Sequence, residues 1–198
     1  MTENQISLEP ARRNTAPCIA YAMNKIESIN PDANVVVSPS DHLILKEDEF
    51  VRTIKIALNY TKNHNDILTL GIKPSRPETG YGYIQIDSQL DIDSLYKVKT
   101  FTEKPNADLA KIFMESGEFF WNSGMFIWNV KTILNAFDDF MGEMSNKFRT
   151  GKCFYGTPDE QNFIDRIYKS CTNISIDYAI LEKATNVDVL AADFGWSD

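Results

Sequence analysis

Several short segments carry residue types whose spacing suits chemistry. Pro39-Ser40-Asp41-His42 follows directly on the run Val35-Val36-Val37. In open α/β sheets ligands gather beyond the carboxyl ends of strands. A carboxylate placed there can hold Mg2+, a hard cation that prefers oxygen ligands and keeps several waters. The competing reading is an aspartate that merely caps or turns the loop. Glu78-Thr79-Gly80-Tyr81-Gly82-Tyr83 sets two glycines around an aromatic. Without Cβ atoms, Gly80 and Gly82 let backbone approach a ligand closely, or else they serve a hairpin or bulge.

Glu103-Lys104-Pro105 joins a carboxylate, able to accept from two sugar hydroxyls, to an ammonium able to pair with a phosphate. Neighbours on a strand face opposite ways. Both can therefore reach one ligand only if the strand end distorts the pleat; otherwise they form an exposed surface pair. In Trp121-Asn122-Ser123-Gly124-Met125-Phe126, Asn122 is polar within an apolar run. A buried amide needs partners, which a sugar hydroxyl or the backbone of a bulge would supply. Gly195-Trp196-Ser197-Asp198 offers a second carboxylate that can join Asp41 on one metal, or an ordinary turn. His42 and His64 are expected to be structural or surface residues, since a zinc site needs more ligands than the sequence offers.

The elements that must position these segments follow from periodicity. Asn14 or Thr15 caps a helix starting near Pro17, whose apolar face is Ile19, Ala20, Met23 and Ile26. The valine run reads as a strand buried on both faces, as in a parallel sheet. A helix over 47–62 with an acidic start, then a strand over 67–70, complete a helix–strand alternation typical of α/β sheets with crossovers. Strands are predicted over 83–86, 98–104, 119–128 (interrupted at 122–124) and 187–191, and helices over 107–114, 131–148 and 159–168. With no repeat and no low-complexity linker, one domain over 1–198 is the simplest organisation.

Composition narrows the function. The 198 residues suffice for one real core, and a formal net charge of −8 argues against nucleic-acid or anionic-membrane partners. Phosphate substrates remain compatible, because a bound metal supplies local positive charge. Cys18, Cys153 and Cys171 are odd in number and widely spaced, so they are read as buried thiols in a reducing compartment. No membrane span or signal peptide is visible, and a cytoplasmic location is expected.

Taken in order, these segments resemble the mannose-1-phosphate guanylyltransferase family of sugar-1-phosphate nucleotidyltransferases. Glu9-Pro-Ala-Arg-Arg-Asn-Thr-Ala-Pro17 and Arg76-Pro-Glu-Thr-Gly-Tyr-Gly-Tyr-Ile84 are the most specific matches. Ser38-Pro-Ser-Asp-His42, Phe101-Thr-Glu-Lys-Pro105, Trp121-Asn-Ser-Gly-Met-Phe126, Ser175-Ile-Asp-Tyr-Ala179 and Gly195-Trp-Ser-Asp198 fall in family order. The resemblance implies an α/β fold with a Rossmann-like, mixed, mostly parallel sheet flanked by helices. It implies the reaction of GTP with mannose 1-phosphate to give GDP-mannose and diphosphate, with Mg2+. Asp41 and Asp198 would be the metal ligands, and Lys104 and Asp41 would carry catalysis. Gly82, Glu103, Lys104, Asn122 and Asp177 would surround the sugar phosphate, with Glu9, Arg13 and Asn14 near the base. A carboxylate suits guanine, which offers it two neighbouring donors.

The family's opening glycine-rich GTRLWPLSR-like loop has no counterpart in this sequence, and Asp198 is the last residue. A truncated, partial nucleotidyltransferase domain is therefore expected, with little or no turnover by itself. An open sheet edge could be covered by pairing between copies, giving a homo-oligomer. Two other readings stay open: a non-catalytic nucleotide-sugar-binding or regulatory module, and a nucleotidyltransferase for another base and sugar phosphate.

Overall fold

The computed structural model describes residues 5–90, 92 and 94–198. In chain order the first elements are α1 (Thr15–Ile29), β1 (Asn34–Val37), β2 (Leu43–Ile44), α2 (Glu47–Asn63), β3 (Ile67–Ile72), β4 (Gly82–Gln89) and β5 (Leu95–Glu103). There follow α3 (Ala107–Ser116), β6 (Phe119–Asn129), α4 (Val130–Phe140), α5 (Gly142–Arg149) and α6 (Glu160–Tyr168). A π-helical turn (Asp177–Leu181), β7 (Val187–Ala192) and β8 (Trp196–Ser197) complete the chain. Two compact units result, one of Met1–Ala33 with Val130–Ala184, the other of Asn34–Asn129 with Thr185–Asp198.

The second unit is built on a six-stranded sheet in the order β1-β6-β3-β7-β5-β4, with β4 also pairing to β6. Its class is the α/β sheet that the alternation predicts, and it is mixed, as the resemblance implies. The neighbour relations are less parallel than the valine run suggests, because β3–β7 pair parallel while β1–β6, β3–β6, β4–β5, β4–β6 and β5–β7 pair antiparallel. The cause lies in β6. It inserts between β1 and β3, so the crossover β1–α2–β3 does connect strands of the same direction, but they are not neighbours. By these pairings β1, β3, β4 and β7 run one way and β5 and β6 the other.

Burial follows the same logic. β3 is the apolar, deeply buried strand, from Ile67 to Gly71. β1 is only half-buried along its length, which corrects the expectation of a strand covered on both faces. Among the described residues it pairs with β6 alone. Helix α2 begins without a side-chain cap, and Glu47, Asp48 and Glu49 in its first turn meet the positive end of its dipole instead. It contributes Ala57 and Tyr60 to a core with Leu68, Leu70, Met125, Ile127, Leu190 and Phe194. Helix α3 is capped by Asn106, whose side chain accepts from the Leu109 N–H at 2.9 Å. It ends at Gly117 with φ 74°, a conformation that glycine adopts without penalty.

The first unit is helical. Asn14 caps α1, accepting from the Thr15 N–H at 2.9 Å. The single helix predicted over 131–148 is two, α4 and α5, broken at Met141 with φ −137° and ψ 40°. Gly142 follows, and glycine weakens a helix interior by ~1 kcal/mol relative to alanine. Asp138 bridges the break by accepting from Ser145 Oγ and pairing with Arg149, each at 2.5 Å. The cysteine expectation holds for one residue of three: Cys171 is buried, whereas Cys18 and Cys153 are exposed.

Candidate functional site

Strand register gathers the candidate sugar-phosphate residues of the second unit into one row. Gly82 pairs with Glu103 across β4–β5. The neighbouring pair Tyr83↔Trp121 on β4–β6 sets Gly82 beside Asn122, and Asn122 pairs with Gly71 on β3. Residues opposite one another on paired strands share a face, so Glu103, Gly82 and Asn122 stand together on three adjacent strands. A Cβ at Gly82 would lie 2.6 Å from Glu103 Oε2 and 3.4 Å from the Asn122 Cβ. The space that glycine leaves is thus occupied by the Glu103 carboxylate.

Lys104 joins the row through its backbone. Its φ is 46°, in the left-handed region that lysine seldom adopts. The pleat breaks there, and Lys104 Nζ comes to 3.1 Å from Glu103 Oε1. Carboxylate and ammonium, sequential in the chain, are therefore together in space. Asn122 lies at an irregularity of the β3–β6 ladder. Its Oδ1 accepts from the Gly124 N–H at 3.1 Å and from Thr69 Oγ1 at 3.3 Å. Gly124 has φ 69°, and a Cβ on it would touch Pro39 and His42 at 3.5 and 3.8 Å. The irregularity thereby seats the Pro39–His42 loop beside the row.

That loop meets the end of the chain. Strands β2 and β8 pair antiparallel, Leu43 with Ser197 and Ile44 with Trp196. The next pair outward is His42 with Asp198, one residue from Asp41, and His42 Nε2 lies 3.5 Å from Asp198 Oδ1. Asp41 is exposed and the Asp198 side chain is half-exposed. Two accessible carboxylates on adjoining segments are a suitable donor set for Mg2+, which usually takes one or two protein carboxylates and completes its shell with waters and substrate phosphates. Among the described residues no group of three or more His, Cys, Asp or Glu converges as a metal cage, and such a cation does not need one.

Residues that sequence reasoning passed over tie these segments together. Trp196 Nε1–H donates to His42 Nδ1 at 3.0 Å. Trp196 also meets Tyr81 edge-on at 5.1 Å, Tyr81 meets Trp121 at 5.3 Å, and the Arg76 guanidinium lies over Trp121 at 5.4 Å. Glu78 staples its own loop: Oε1 accepts from the N–H groups of Thr79 and Gly80, each at 3.0 Å, while Oε2 takes Arg76 Nε at 3.0 Å. The Gly80 N–H and the Arg76 guanidinium hold its carboxyl below the usual range, against the opposing effect of desolvation. The sequence signal for these roles was present in the aromatics at 81, 121 and 196, each one or two residues from a singled-out position. His64, expected to be a structural or surface residue, is exposed and stacks on Tyr60 at 4.2 Å.

The remaining candidates belong to the first unit. The exposed Glu9 accepts from Tyr168 Oη, whose own proton is held more tightly by burial and by that carboxylate. Arg13 Nη2 donates to the Lys169 carbonyl at 2.7 Å, and the Arg13 carbonyl accepts from the Ile174 N–H at 3.3 Å. Asn14, φ 64°, is the α1 cap. Asp177 is half-buried and opens the π-helical turn, which its carbonyl closes by accepting from Glu182 N–H at 3.0 Å. Glu9 and Arg13 thus bind the start of the chain to the end of α6.

A mixed sheet with a carboxylate–lysine pair, a glycine floor and two accessible carboxylates defines a candidate phosphosugar-handling site. A family model described as Nucleotidyl transferase matches residues 2–198, and the chain belongs to that family. It is 39% identical to a mannose-1-phosphate guanylyltransferase of Escherichia coli, over 99% of this chain and 43% of the relative. It is 35% identical to one from Klebsiella pneumoniae, over 98% of this chain and 42% of the relative. The chain therefore spans about two fifths of the length of these relatives. Among solved structures, a Thermus thermophilus protein described as a mannose-1-phosphate geranyltransferase superimposes with a TM-score of 0.85 at 26% identity, covering 96% of this chain and 53% of that one. No helix of the described residues is long and apolar enough to cross a membrane.

Proposed function

We propose that this chain carries sugar-phosphate and metal residues of a mannose-1-phosphate guanylyltransferase, the enzyme joining GTP and mannose 1-phosphate to give GDP-mannose and diphosphate. The observation that carries the reading is the row Glu103–Gly82–Asn122 with Lys104 turned back onto it. Glu103 accepts from sugar hydroxyls in the space above Gly82. Lys104 pairs with the sugar phosphate and keeps its oxygen directed at the nucleotide.

In the reaction a phosphate oxygen of the sugar attacks the α-phosphorus of GTP. The bond from that phosphorus to the β-phosphate bridging oxygen breaks, and diphosphate leaves with the electron pair. The incoming phosphate is already a competent nucleophile, so the protein's task is positioning and charge neutralisation. Asp41 and Asp198 would hold Mg2+, which when bound supplies positive charge at the phosphates. Glu9, Arg13, Asn14 and Asp177 are the candidates for the base and for the remaining sugar contacts, and replacing Glu9 by Gln should weaken the preference for guanine.

Calorimetry with GDP-mannose, with and without Mg2+ and with UDP-glucose as control, tests the reading. Selective, Mg2+-dependent binding of GDP-mannose is the expected result. Equal binding of both nucleotide sugars, or of neither, would overturn the assignment to mannose and guanine.

A further inference from the structure

The corner where β2 and β8 pair contains a relay of three side chains. Trp196 Nε1–H donates to His42 Nδ1 at 3.0 Å, with the two rings perpendicular at 86° and 5.4 Å apart. An indole nitrogen is a donor only. Nδ1 of His42 must therefore accept, and the proton of the neutral ring lies on Nε2. That nitrogen faces Asp198 Oδ1 at 3.5 Å. The His42 side chain is 8% exposed and the Asp198 carboxylate 51% exposed, so the imidazole backs the carboxylate from the protein side and leaves it open to solvent. The relay is anchored behind as well, since Trp196 is wedged edge-on against Tyr81.

We propose that His42 is a positioning residue whose tautomer is fixed by Trp196 and whose Nε2–H orients the Asp198 carboxylate toward a divalent cation. The inference rests on the reading of Asp198 as a cation ligand. At 3.5 Å the contact is electrostatic rather than a short hydrogen bond, and it still sets the side of the carboxylate that the imidazole faces. Partners that orient metal-binding side chains typically change metal affinity 10–100-fold when removed. Nothing in the relay requires His42 itself to touch cation or substrate.

The test combines ring tautomer and metal affinity. Long-range 1H–15N correlations on the labelled chain should show His42 protonated at Nε2 and bare at Nδ1, and Trp196→Phe should give a mixture of tautomers. Mn2+ alone, followed by its electron paramagnetic resonance, should bind about 10–100-fold more weakly to His42→Ala and His42→Asn. His42→Gln, whose amide nitrogen reaches the place of Nε2, should stay within about threefold of the parent. A parent His42 carrying its proton on Nδ1 would overturn the proposal. So would His42→Ala and His42→Asn binding as tightly as the parent while Asp198→Asn binds at least tenfold more weakly, a result that leaves the cation reading standing. Unchanged binding by Asp198→Asn would instead remove the cation reading, and the proposal with it.

Discussion

Glu103 Oε2 occupies the place where Gly82 would carry a Cβ, 2.6 Å from that position. The obstructing atom is the far end of a flexible side chain, so Gly82→Ala should be accommodated by swinging the carboxylate aside rather than by moving backbone. Stability should change by under about 1 kcal/mol, the usual range for substitutions that avoid the core. Function should suffer far more. On the proposed role of Glu103, a carboxylate pushed off sugar hydroxyls would lose at least one charge-assisted hydrogen bond, about 1.5–3 kcal/mol or roughly 10–100-fold in affinity. Thermal melts beside GDP-mannose titrations would show the split. A large fall in Tm with unchanged binding would count against the role of this row.

Lys104 presents the opposite balance. Its φ of 46° is strained for a residue with a Cβ, at a cost of roughly 1–2 kcal/mol. Lys104→Gly should therefore leave stability unchanged or raise it slightly, while removing the ammonium that pairs with Glu103. On the proposed role of Lys104, kcat for GDP-mannose formation should fall by about two orders of magnitude, as for loss of one preorganised charge contact. The retained strain at Lys104 is the observation that motivates the proposed role of its side chain.

How much of this was legible in the sequence differs from element to element. The cap at Asn14 or Thr15, the helix from about Glu47 and the strand over 98–104 follow from local chemistry; the structure settles the cap on Asn14, starts the helix at Glu47 and runs the strand over Leu95–Glu103. Local chemistry could not say that β6 would separate β1 from β3, because a valine run looks alike beside a parallel or an antiparallel partner. The break at Met141 was hidden because apolar spacing continues through it. At the site, the Glu103–Lys104 pair was recognisable together with the condition it needed, a broken pleat, and the positive φ of Lys104 supplies that break. The link between His42 and Trp196 was not recognisable. It depends on a ladder between strands 154 positions apart, and no local pattern encodes such a pairing.

A buried polar group at the other end of the sheet should govern stability. Asp188 is fully buried in β7, accepts from Tyr60 Oη at 2.7 Å and faces Lys97 Nζ at 3.0 Å. Among the described residues no aligned hydrogen bond reaches its Oδ1, and Lys97 serves there as an ion-pair partner. Burial, then the bond to Asp188, makes the Tyr60 hydroxyl harder to ionise, so at ordinary pH it remains a donor. Tyr60→Phe should cost about 1–3 kcal/mol, the penalty for an unsatisfied buried acceptor. Lys97→Met should cost up to about 3–5 kcal/mol, the range for a buried charge left unpaired, moderated because Lys97 is 34% exposed. Urea unfolding measures both, and a Lys97→Met variant as stable as the parent would show that the pair contributes nothing net.

Glu160 should make the first unit sensitive to acid. It is buried at the start of α6, where it accepts from Tyr21 Oη, from the Gly156 N–H at 2.7 Å and from Lys25 Nζ at 2.8 Å. Desolvation alone would raise its pKa, but Lys25, Tyr21 and the Gly156 N–H outweigh that and hold it below the ordinary value of 4.5. A carboxylate whose folded pKa is depressed contributes stability that is fully present above its unfolded pKa. That contribution is lost as pH falls through the lower, folded value. Glu160→Gln keeps an acceptor for Tyr21 but carries no charge, so its stability should lack this component. Melting curves of the parent and Glu160→Gln should differ most near neutral pH, with the variant the less stable, and should converge as pH drops below 4.5. A constant gap through the acid range would mean that Glu160 acts through shape alone and not through its charge.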